Sequence, residues 1–463
     1  MNKTIFLLLL LFLCVSSGAW AEGANRISLP KTYRYRLSLK DKGGSPYSIT
    51  RPEEFLSPKS IERRKRMGLA VDEYDLPISP KYLEAIRETG ARVFNCSKWN
   101  NTVQVEVHDS LQEKKLRTLP FVTDILLVYV SPDSVSQHDT ANRMGEIVTD
   151  TVMTENYYGK SQAQIAQLHL DSLHAKGFRG NGMTIAVIDG GFYNADVIPA
   201  FKDTKILGVK NFARPDSCVF AEHPHGMMVL SCIAPDMPYR LVGTAPEASF
   251  YLLQSEDTWF EYRGEEDNWC AALEYADSVG ADIVTSSLGY TFFDTPAATL
   301  KYEWLDGHHE LNSRSGSLAA SRGILLCNSA GNEGDGRWKK IGFPADAHDI
   351  LAVGAVNEAG INTEFSSIGY STDHRVKPDV MARGGNTALL QPDGTVTTAN
   401  GTSFSCPIMA GAVTCLCQAF SNRRPVDIMN AVRQTGNFYD QPNEVYGNGI
   451  PNILEAYYRL GGK

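Results

Sequence analysis

Five apolar runs in the second half of the chain constrain its fold most strongly. They begin at Met183, Ala248, Ala281, Gly323 and Asp349 and read MTIAVID, ASFYLLQS, ADIVTSSLG, GILLCNSAG and DILAVGAV. Each run ends in polar or glycine-rich residues, and helical segments such as NWCAALEYADSVG and SLAASRG separate several of them. Buried strands that alternate with helices are typical of a parallel sheet covered on both faces. We therefore predict an α/β fold here, with ligands bound at the carboxyl ends of the strands.

A smaller block precedes these runs. From about residue 33 to residue 130 the order is strand, polar helix, helix, strand, strand, helix and strand, which predicts a small α+β sandwich of the βαββαβ type. The only basic cluster in the sequence, IERRKRMG at 61–68, falls in the polar helix beside Glu62, and we expect it to form a solvated helix face. Residues 131–161 are polar without a sustained apolar period, which is typical of a linker.

The amino terminus has the pattern of a secretory signal peptide. Lys3 precedes an apolar run at 5–15, and AWAE at 19–22 offers a small-x-small cleavage site. No later segment is long and apolar enough to suggest a membrane span, so we expect an exported protein, secreted or periplasmic. The predicted organisation is a signal peptide at 1–21, an α+β domain at 22–130, a linker at 131–160 and an α/β domain at 161–463.

Composition and cysteine spacing exclude several classes of protein. The chain has 463 residues, 43% hydrophobic and 21% charged, and its net charge of -9 gives no support to nucleic-acid binding. Most cysteines outside the signal peptide, such as Cys327, Cys415 and Cys417, lie in apolar runs, and none has metal-ligand spacing. We expect neither a disulfide framework nor a cysteine metal site, although a single bridge after export stays open.

Four polar residues lie where this fold would place chemistry. Asp189 ends the first run, His225 begins an apolar segment in HPHGMMVLSCIA, Asn332 follows a run in NSAGNEG, and Ser403 precedes an apolar helical run in NGTSFSCPIMAG. Each residue alone has an ordinary role, as a helix cap, a packed side chain or a turn residue. Together they supply a nucleophile, a base, a carboxylate that orients the base, and an oxyanion donor.

The order Asp, His, Ser with these flanking residues resembles the subtilisin-like serine proteases. The resemblance covers about residues 157–460 and includes the segments SSLG, GFPAD, FSSIG and KPDVMARG. It implies a subtilisin-like fold with a mostly parallel sheet and helices on both faces. It also implies that Asp189 orients the base, that His225 is the general base and then acid, and that Ser403 is the nucleophile. Asn332 would donate to the oxyanion beside the backbone amide of Ser403.

The resemblance also implies a substrate site and shows some departures from the family pattern. Peptide would bind as an added strand, and the implied strand and pocket residues are Ser287, Leu288, Gly289, Ala330, Gly331 and Gly342. Because Gly342 leaves room and the walls carry no charge, we expect cleavage after large apolar or aromatic residues. Gly190 stands where the family has serine or threonine, Met227 and Met228 replace threonine and histidine, and Arg383 replaces proline.

The first block resembles the inhibitory propeptides of the same family, and SKWNNTVQVEV at 97–107 is its most suggestive segment. This resemblance implies a zymogen that its own propeptide inhibits and that is processed within the linker at 131–160. The alternative is a permanent accessory domain, which analogy of fold alone does not exclude.

Together the sequence predicts a secreted serine endopeptidase that hydrolyses protein or peptide substrates through an acyl-enzyme. One alternative is a catalytically silent protein of the same fold that binds peptides. An esterase of the α/β-hydrolase kind would need a G-x-S-x-G elbow and the order Ser, acid, His, which GTSFS and the order found here do not match. We expect no cofactor for catalysis and no metal at the site. Structural calcium is common in the resembling family, but no loop here can be assigned to it.

Overall fold

The computed structural model describes residues 26–28, 31–132, 134–136, 147–148, 151–294 and 300–463. The predicted signal peptide lies outside these residues, and so do residues 133, 137–146 and 149–150 of the predicted linker.

The first block is a four-stranded antiparallel sheet, as the sequence predicts for an α+β sandwich. Its strand order is β3-β4-β2-β5. One face carries α2 and α3, whose Ile86 and Leu116 pack with Leu37 and Val105 of the sheet. The other face meets a helix of the second block, α7 (Glu265–Val279). The elements are β1 Arg26–Ser28, β2 Tyr33–Leu39, α1 Pro58–Met67, α2 Pro80–Glu88, β3 Arg92–Ser97, β4 Thr102–Val107, α3 Ser110–Arg117, β5 Val122–Val130 and β6 Ser134–Ser136.

Helix α1 contradicts the expectation of a solvated basic face. The helix begins after Ser57, whose side chain accepts a hydrogen bond from the amide of Ser60, and ends at Gly68 in the left-handed conformation. The side chains of Arg63 and Arg64 are 0% and 1% exposed. The expectation was wrong because acidic side chains of the second block, distant in sequence, lie beneath the helix.

The second block contains the predicted parallel sheet. Seven strands pair in the order β17-β14-β13-β12-β7-β11-β8, and every pair is parallel. The elements are α4 Gln162–Ala166, α5 Leu170–Ala175, β7 Thr184–Asp189, β8 Lys205–Asn211, α6 His225–Ser231, β9 Asp236–Met237, β10 Leu241–Val242, β11 Ser249–Gln254, α7 Glu265–Val279, β12 Ile283–Ser286, α8 Leu311–Ala319, β13 Leu325–Ser329, β14 Leu351–Val356, β15 Gly369–Tyr370, β16 Val376–Lys377, β17 Val380–Arg383, β18 Thr387–Leu390, β19 Val396–Ala399, α9 Thr402–Ala419, α10 Pro425–Gln434 and α11 Ile453–Arg459.

The five apolar runs form the neighbouring strands β7, β11, β12, β13 and β14. All residues of β7, β12, β13 and β14 are buried, because one hydrophobic cluster covers the face beneath α9 and another covers the face beneath α7 and α8. The α/β prediction is confirmed, and the strand ends share one edge as the parallel register requires.

Helix α9 crosses the centre of the larger core. Among the residues that the structure describes, it is the one helix with the length and hydropathy of a membrane span, but 89% of it is buried inside the protein. Core packing against the sheet accounts for its apolar composition. The helix begins at Thr402, earlier than the apolar run alone suggests, and Pro407 lies inside it.

Candidate active site

The carboxyl ends of three adjacent strands bring the predicted site residues together. Asp189 is the last residue of β7 and lies opposite Gln254 of β11 in the register. Its carboxylate is fully buried, and its Oδ1 accepts hydrogen bonds from the amide of Gly190 at 2.7 Å and from Nδ1 of His225 at 2.7 Å. Because Nδ1 carries a proton and donates it in a hydrogen bond to the carboxylate, the other ring nitrogen, Nε2, is free to accept a proton.

His225 is the first residue of α6, and a glycine brings that helix close to Asp189. The amide of Gly226 donates to the carbonyl of Gly191 at 2.9 Å. A Cβ at position 226 would lie 2.5 Å from that carbonyl oxygen and 2.8 Å from Cβ of Asp189, so only glycine fits here. Burial lowers the pKa of His225, but the charge of Asp189 and its hydrogen bond outweigh burial and raise this pKa above the ordinary value.

Ser403 lies in the first turn of α9 and does not cap it. The residue at the cap position is Gly401, and no side chain caps the helix there. Among the described residues the hydroxyl of Ser403 has one acceptor, the carbonyl of Ser287 at 3.4 Å. Pro407 has no N–H to bond the carbonyl four residues earlier, and that carbonyl of Ser403 instead accepts from the Ser287 hydroxyl at 2.8 Å. Two hydrogen bonds therefore tie Ser403 to the end of β12.

Asn332 is oriented by the residue before the predicted nucleophile. Its Oδ1 accepts from the backbone amide and from the hydroxyl of Thr402, both at 2.9 Å. This fixes the amide group and leaves Nδ2 as a donor with no acceptor among the described residues. Asn332 and Ser403 line the same cavity, which has a volume of about 390 Å³. The Nδ2 donor of Asn332 and the N-terminus of α9 thus border one space, an arrangement suited to binding an oxyanion.

Most predicted substrate residues line this cavity together with the three predicted catalytic residues. Besides Asp189, His225 and Ser403, the lining includes Ser287, Leu288, Gly289, Gly331 and Gly342. Ala330 does not line it: the residue is fully buried and packs with Ile341 and Phe343 behind the wall. Its backbone amide and carbonyl are bonded to Val353 and Gly342, which turns the side chain into the core.

Sequence reasoning missed several polar residues that also line the cavity, namely Glu256, Glu261, Glu333 and His223. Glu256 is 7% exposed and accepts hydrogen bonds from the hydroxyls of Tyr290 at 2.7 Å and Ser255 at 2.6 Å. Burial raises the pKa of Glu256 to about 8. Glu256 directly follows the apolar run ASFYLLQS. It could therefore have been predicted as Asp189 was, from its position at the carboxyl end of a buried strand.

Among the residues that the structure describes, Glu256, Glu261 and Glu265 form the acidic group that could hold a metal, since one ligand oxygen of each lies within 4.8 Å of the others. Their donor atoms do not fit calcium, which takes six to eight oxygens. The two oxygens of Glu265 accept from the amides of Asp257 and Tyr262, and Oε1 of Glu256 accepts from two hydroxyls. Burial raises the pKa of all three groups, which favours shared protons over three free charges.

The structure accommodates the departures from the family pattern. A Cβ at Gly190 would lie 2.9 Å from the methyl of Thr258, so a hydroxyl residue does not fit this loop without movement. Met227 is fully buried in the core beneath α9. Arg383 is buried and donates to the carbonyl of Gly385 at 2.6 Å. None of these residues alters the contact between Asp189 and His225.

Comparisons with known proteins match both blocks. The sequence model of the subtilase family matches residues 180–449, and the model of the peptidase S8 propeptide domain of Bacteroidota matches residues 34–144. Subtilisin NAT from Bacillus subtilis subsp. natto is 26% identical over 381 residues, which are 82% of this chain and 86% of that protein. The subtilisin of Bacillus pumilus is 27% identical over 295 residues, 63% of this chain and 97% of that protein.

Two solved structures are also similar. The self-cleaved protease domain of PatA has a TM-score of 0.49 and 23% identity, and the similarity covers 62% of this chain and 99% of that one. The prenylagaramide maturation protease PagA has a TM-score of 0.49 and 22% identity, with 64% and 99% covered.

Proposed function

The chain belongs to the subtilase family and is a serine endopeptidase, and on that premise we propose that Asp189, His225 and Ser403 hydrolyse peptide bonds in an exported enzyme made as a zymogen. The observation that carries this proposal is the 2.7 Å hydrogen bond between the buried carboxylate of Asp189 and Nδ1 of His225, in a cavity that Ser403 also lines.

The first chemical step transfers the proton of the Ser403 hydroxyl to Nε2 of His225 while Oγ bonds to the scissile carbonyl carbon. Without substrate, the Ser403 hydroxyl donates a hydrogen bond to the carbonyl of Ser287. If a peptide strand pairs along residues 287–289, its N–H competes for that carbonyl and frees the hydroxyl for His225. His225 then protonates the leaving amine, and a water molecule that it activates hydrolyses the acyl-enzyme.

Charge on the tetrahedral intermediate would be stabilised by groups that are already oriented. Nδ2 of Asn332 and the backbone amide of Ser403 supply two donors, and the positive end of the α9 helix dipole lies beside them. Since side chains supply the base and the nucleophile, and a side chain and a backbone amide supply the oxyanion donors, we propose catalysis without a metal. Full peptidase activity after dialysis against a chelator is the expected result.

The position of the first block supports its role as an intramolecular inhibitor. The carbonyl of Val128 in β5 accepts from the amide of Gly264 at 3.1 Å, and the rings of Tyr129 and Tyr262 lie 4.6 Å apart. The strand thus ends beside the segment that carries Glu261, which lines the cavity. The chain that follows β5 therefore starts close to the cavity. We propose cleavage within 131–160, at least partly by the enzyme itself.

Intact mass measurement of the wild type and two variants tests this proposal. The wild type should lose the first block by a cut within 131–160, whereas Ser403→Ala should remain one chain after removal of the signal peptide. Ser405→Ala is the matched control, because this buried hydroxyl lies on the same helix and, among the described residues, bonds only the carbonyl of Thr402, at 3.0 Å. A wild type that stays full-length and active would contradict the zymogen and make the first block an accessory domain.

A further inference from the structure

Helix α1 of the first block contributes nothing to the hydrophobic core of that block. The core cluster draws on the four-stranded sheet, α2 and α3, and none of its described members lies in α1. The residues that α1 buries are all polar, namely Ser60, Arg63 and Arg64. A helix that buries two guanidinium groups and no apolar side chain is not built for packing in its own domain. Apart from Ser60 and Asp75, the hydrogen-bond partners of these two guanidinium groups lie in the second block.

Arg63 and Arg64 converge on one buried carboxylate, that of Asp277 at the end of α7. Nη2 of Arg64 lies 2.8 Å from Oδ2 of Asp277 and 2.9 Å from Oδ1 of Asp75, so this side chain joins the two blocks. Arg63 bonds Asp277 as well, together with the carbonyls of Ala281 and Arg322. Burial raises the pKa of Asp277, but the charges of Lys98, Arg64, Arg63 and Arg322 outweigh burial and hold this pKa below the ordinary value.

A second set of contacts surrounds this centre. Nζ of Lys59 and Nη2 of Arg66 lie 3.3 Å and 3.4 Å from the carboxylate of Asp282, which is 4% exposed. The lack of a side chain at Gly280 lets α1 lie close to the second block, since a Cβ there would lie 2.7 Å from Cβ of Lys59. We call Lys59, Arg63, Arg64 and Arg66 the basal anchor.

The basal anchor lies at the amino ends of the sheet strands, whereas the catalytic groups lie at their carboxyl ends. Asp282 immediately precedes β12, and its Oδ2 accepts from the amide of Thr184 at the start of β7. Asp189 and Ser287 lie at the other ends of the same two strands. A cut in the linker beside the cavity therefore leaves every contact of the basal anchor in place.

We propose that the basal anchor holds the first block on the enzyme after the linker is cut and sets the lifetime of that complex. The acidic surface of Asp277 and Asp282 is thus a docking site for a basic helix that presents adjacent arginines. Dissociation must return four buried or half-buried cations and two carboxylates to water, and salt screens such buried pairs weakly. Truncation of one partner of a buried charge pair acts mainly on the dissociation rate.

The proposal rests on the proposed processing, and the experiment separates the two. A recognition sequence for an added site-specific protease is inserted between residues 140 and 141 of the full chain carrying Ser403→Ala. The protein is immobilised through a tag at its carboxyl terminus, the linker is cut, and the mass that leaves the surface is recorded. Self-cleavage plays no part, so a wild type that fails to process itself contradicts the zymogen but not the anchor.

Arg63→Ala/Arg64→Ala should release the first block about 10²-fold faster than the parent chain. The matched control is Arg87→Ala in α2, whose side chain is 53% exposed and whose ion pair is with Glu84 of the same block. Its release rate should equal that of the parent. Equal rates in all three proteins would overturn the proposal.

Circular dichroism of the uncut chains shows whether the double variant folds. If it does not, Lys59→Ala/Arg66→Ala takes its place, because these side chains are 41% and 31% exposed and their loss creates no buried cavity. A tenfold or greater rise in release rate supports the anchor, and an unchanged rate overturns it.

Discussion

Gly226→Ala tests whether the close approach of α6 to β7 is needed for catalysis. The added Cβ would lie 2.5 Å from the carbonyl oxygen of Gly191 and 2.8 Å from Cβ of Asp189, both closer than real contacts allow. Relief of these contacts needs a shift of roughly 0.5–1 Å between the helix and the strand end, judged against ordinary van der Waals spacing. Because His225 precedes Gly226 in α6, we expect this shift to move His225 away from Asp189.

The shift would stretch the 2.7 Å hydrogen bond between Asp189 and His225 past about 3.2 Å, the upper end of the normal range. A displacement of about 1 Å in a catalytic group costs on the order of 10²-fold in rate. We therefore expect kcat/KM on a fluorogenic peptide to fall about 10²-fold.

The matched control is Gly208→Ala in β8, where the added Cβ would meet only the ring edge of Tyr251, at 3.0 Å. Thermal unfolding of both variants separates loss of fold from loss of geometry, and a fluorophosphonate probe counts active sites. A folded Gly226→Ala enzyme with kcat/KM within twofold of the wild type would refute the argument.

Three further predictions concern the same cavity. Asn332→Ala should lower kcat about 10²- to 10³-fold with little change in KM, the general cost of one lost oxyanion donor, whereas a higher KM at constant kcat would make Asn332 a binding residue. The base must be neutral, so kcat/KM should rise with pH through a pKa above the 6.5 of ordinary histidine. Asp189→Asn should move this rise in kcat/KM to lower pH, because the protonated His225 loses the negative charge of Asp189. A rise at unchanged pH would mean that another group titrates there. Peptide-library profiling should show cleavage after large apolar residues, and a preference for lysine or arginine would instead implicate Glu256 and Glu261.

Much of the fold could be predicted because its signals are local. The runs that became β7, β12, β13 and β14 are apolar at nearly every position, since both faces of each strand are covered. The end of a parallel strand is also fixed by the run itself, which placed Asp189 at the edge of the sheet. The order and flanking residues of the candidates then resembled the subtilisin-like serine proteases, and that resemblance implied their roles.

The features that could not be predicted depend on partners far away in sequence. The burial of Arg64 depends on Asp277, which lies 213 residues later, and no local pattern marks that pair. The orientation of Asn332 depends on Thr402, 70 residues later. Ala330 was expected at the pocket wall, but its side chain lies in the core. Its backbone amide and carbonyl are held by hydrogen bonds to Val353 and Gly342. Such contacts follow from the tertiary structure alone.

Covalent labelling tests the central claim, that Ser403 is a nucleophile activated by His225, most directly. The purified wild type should react with a fluorophosphonate, and mass spectrometry of its peptides should place the adduct on Ser403. His225→Ala should slow the labelling severely, because the hydroxyl then loses its base. Ser405→Ala should label like the wild type. No adduct on a folded wild type, or an adduct on a residue other than Ser403, would contradict the account.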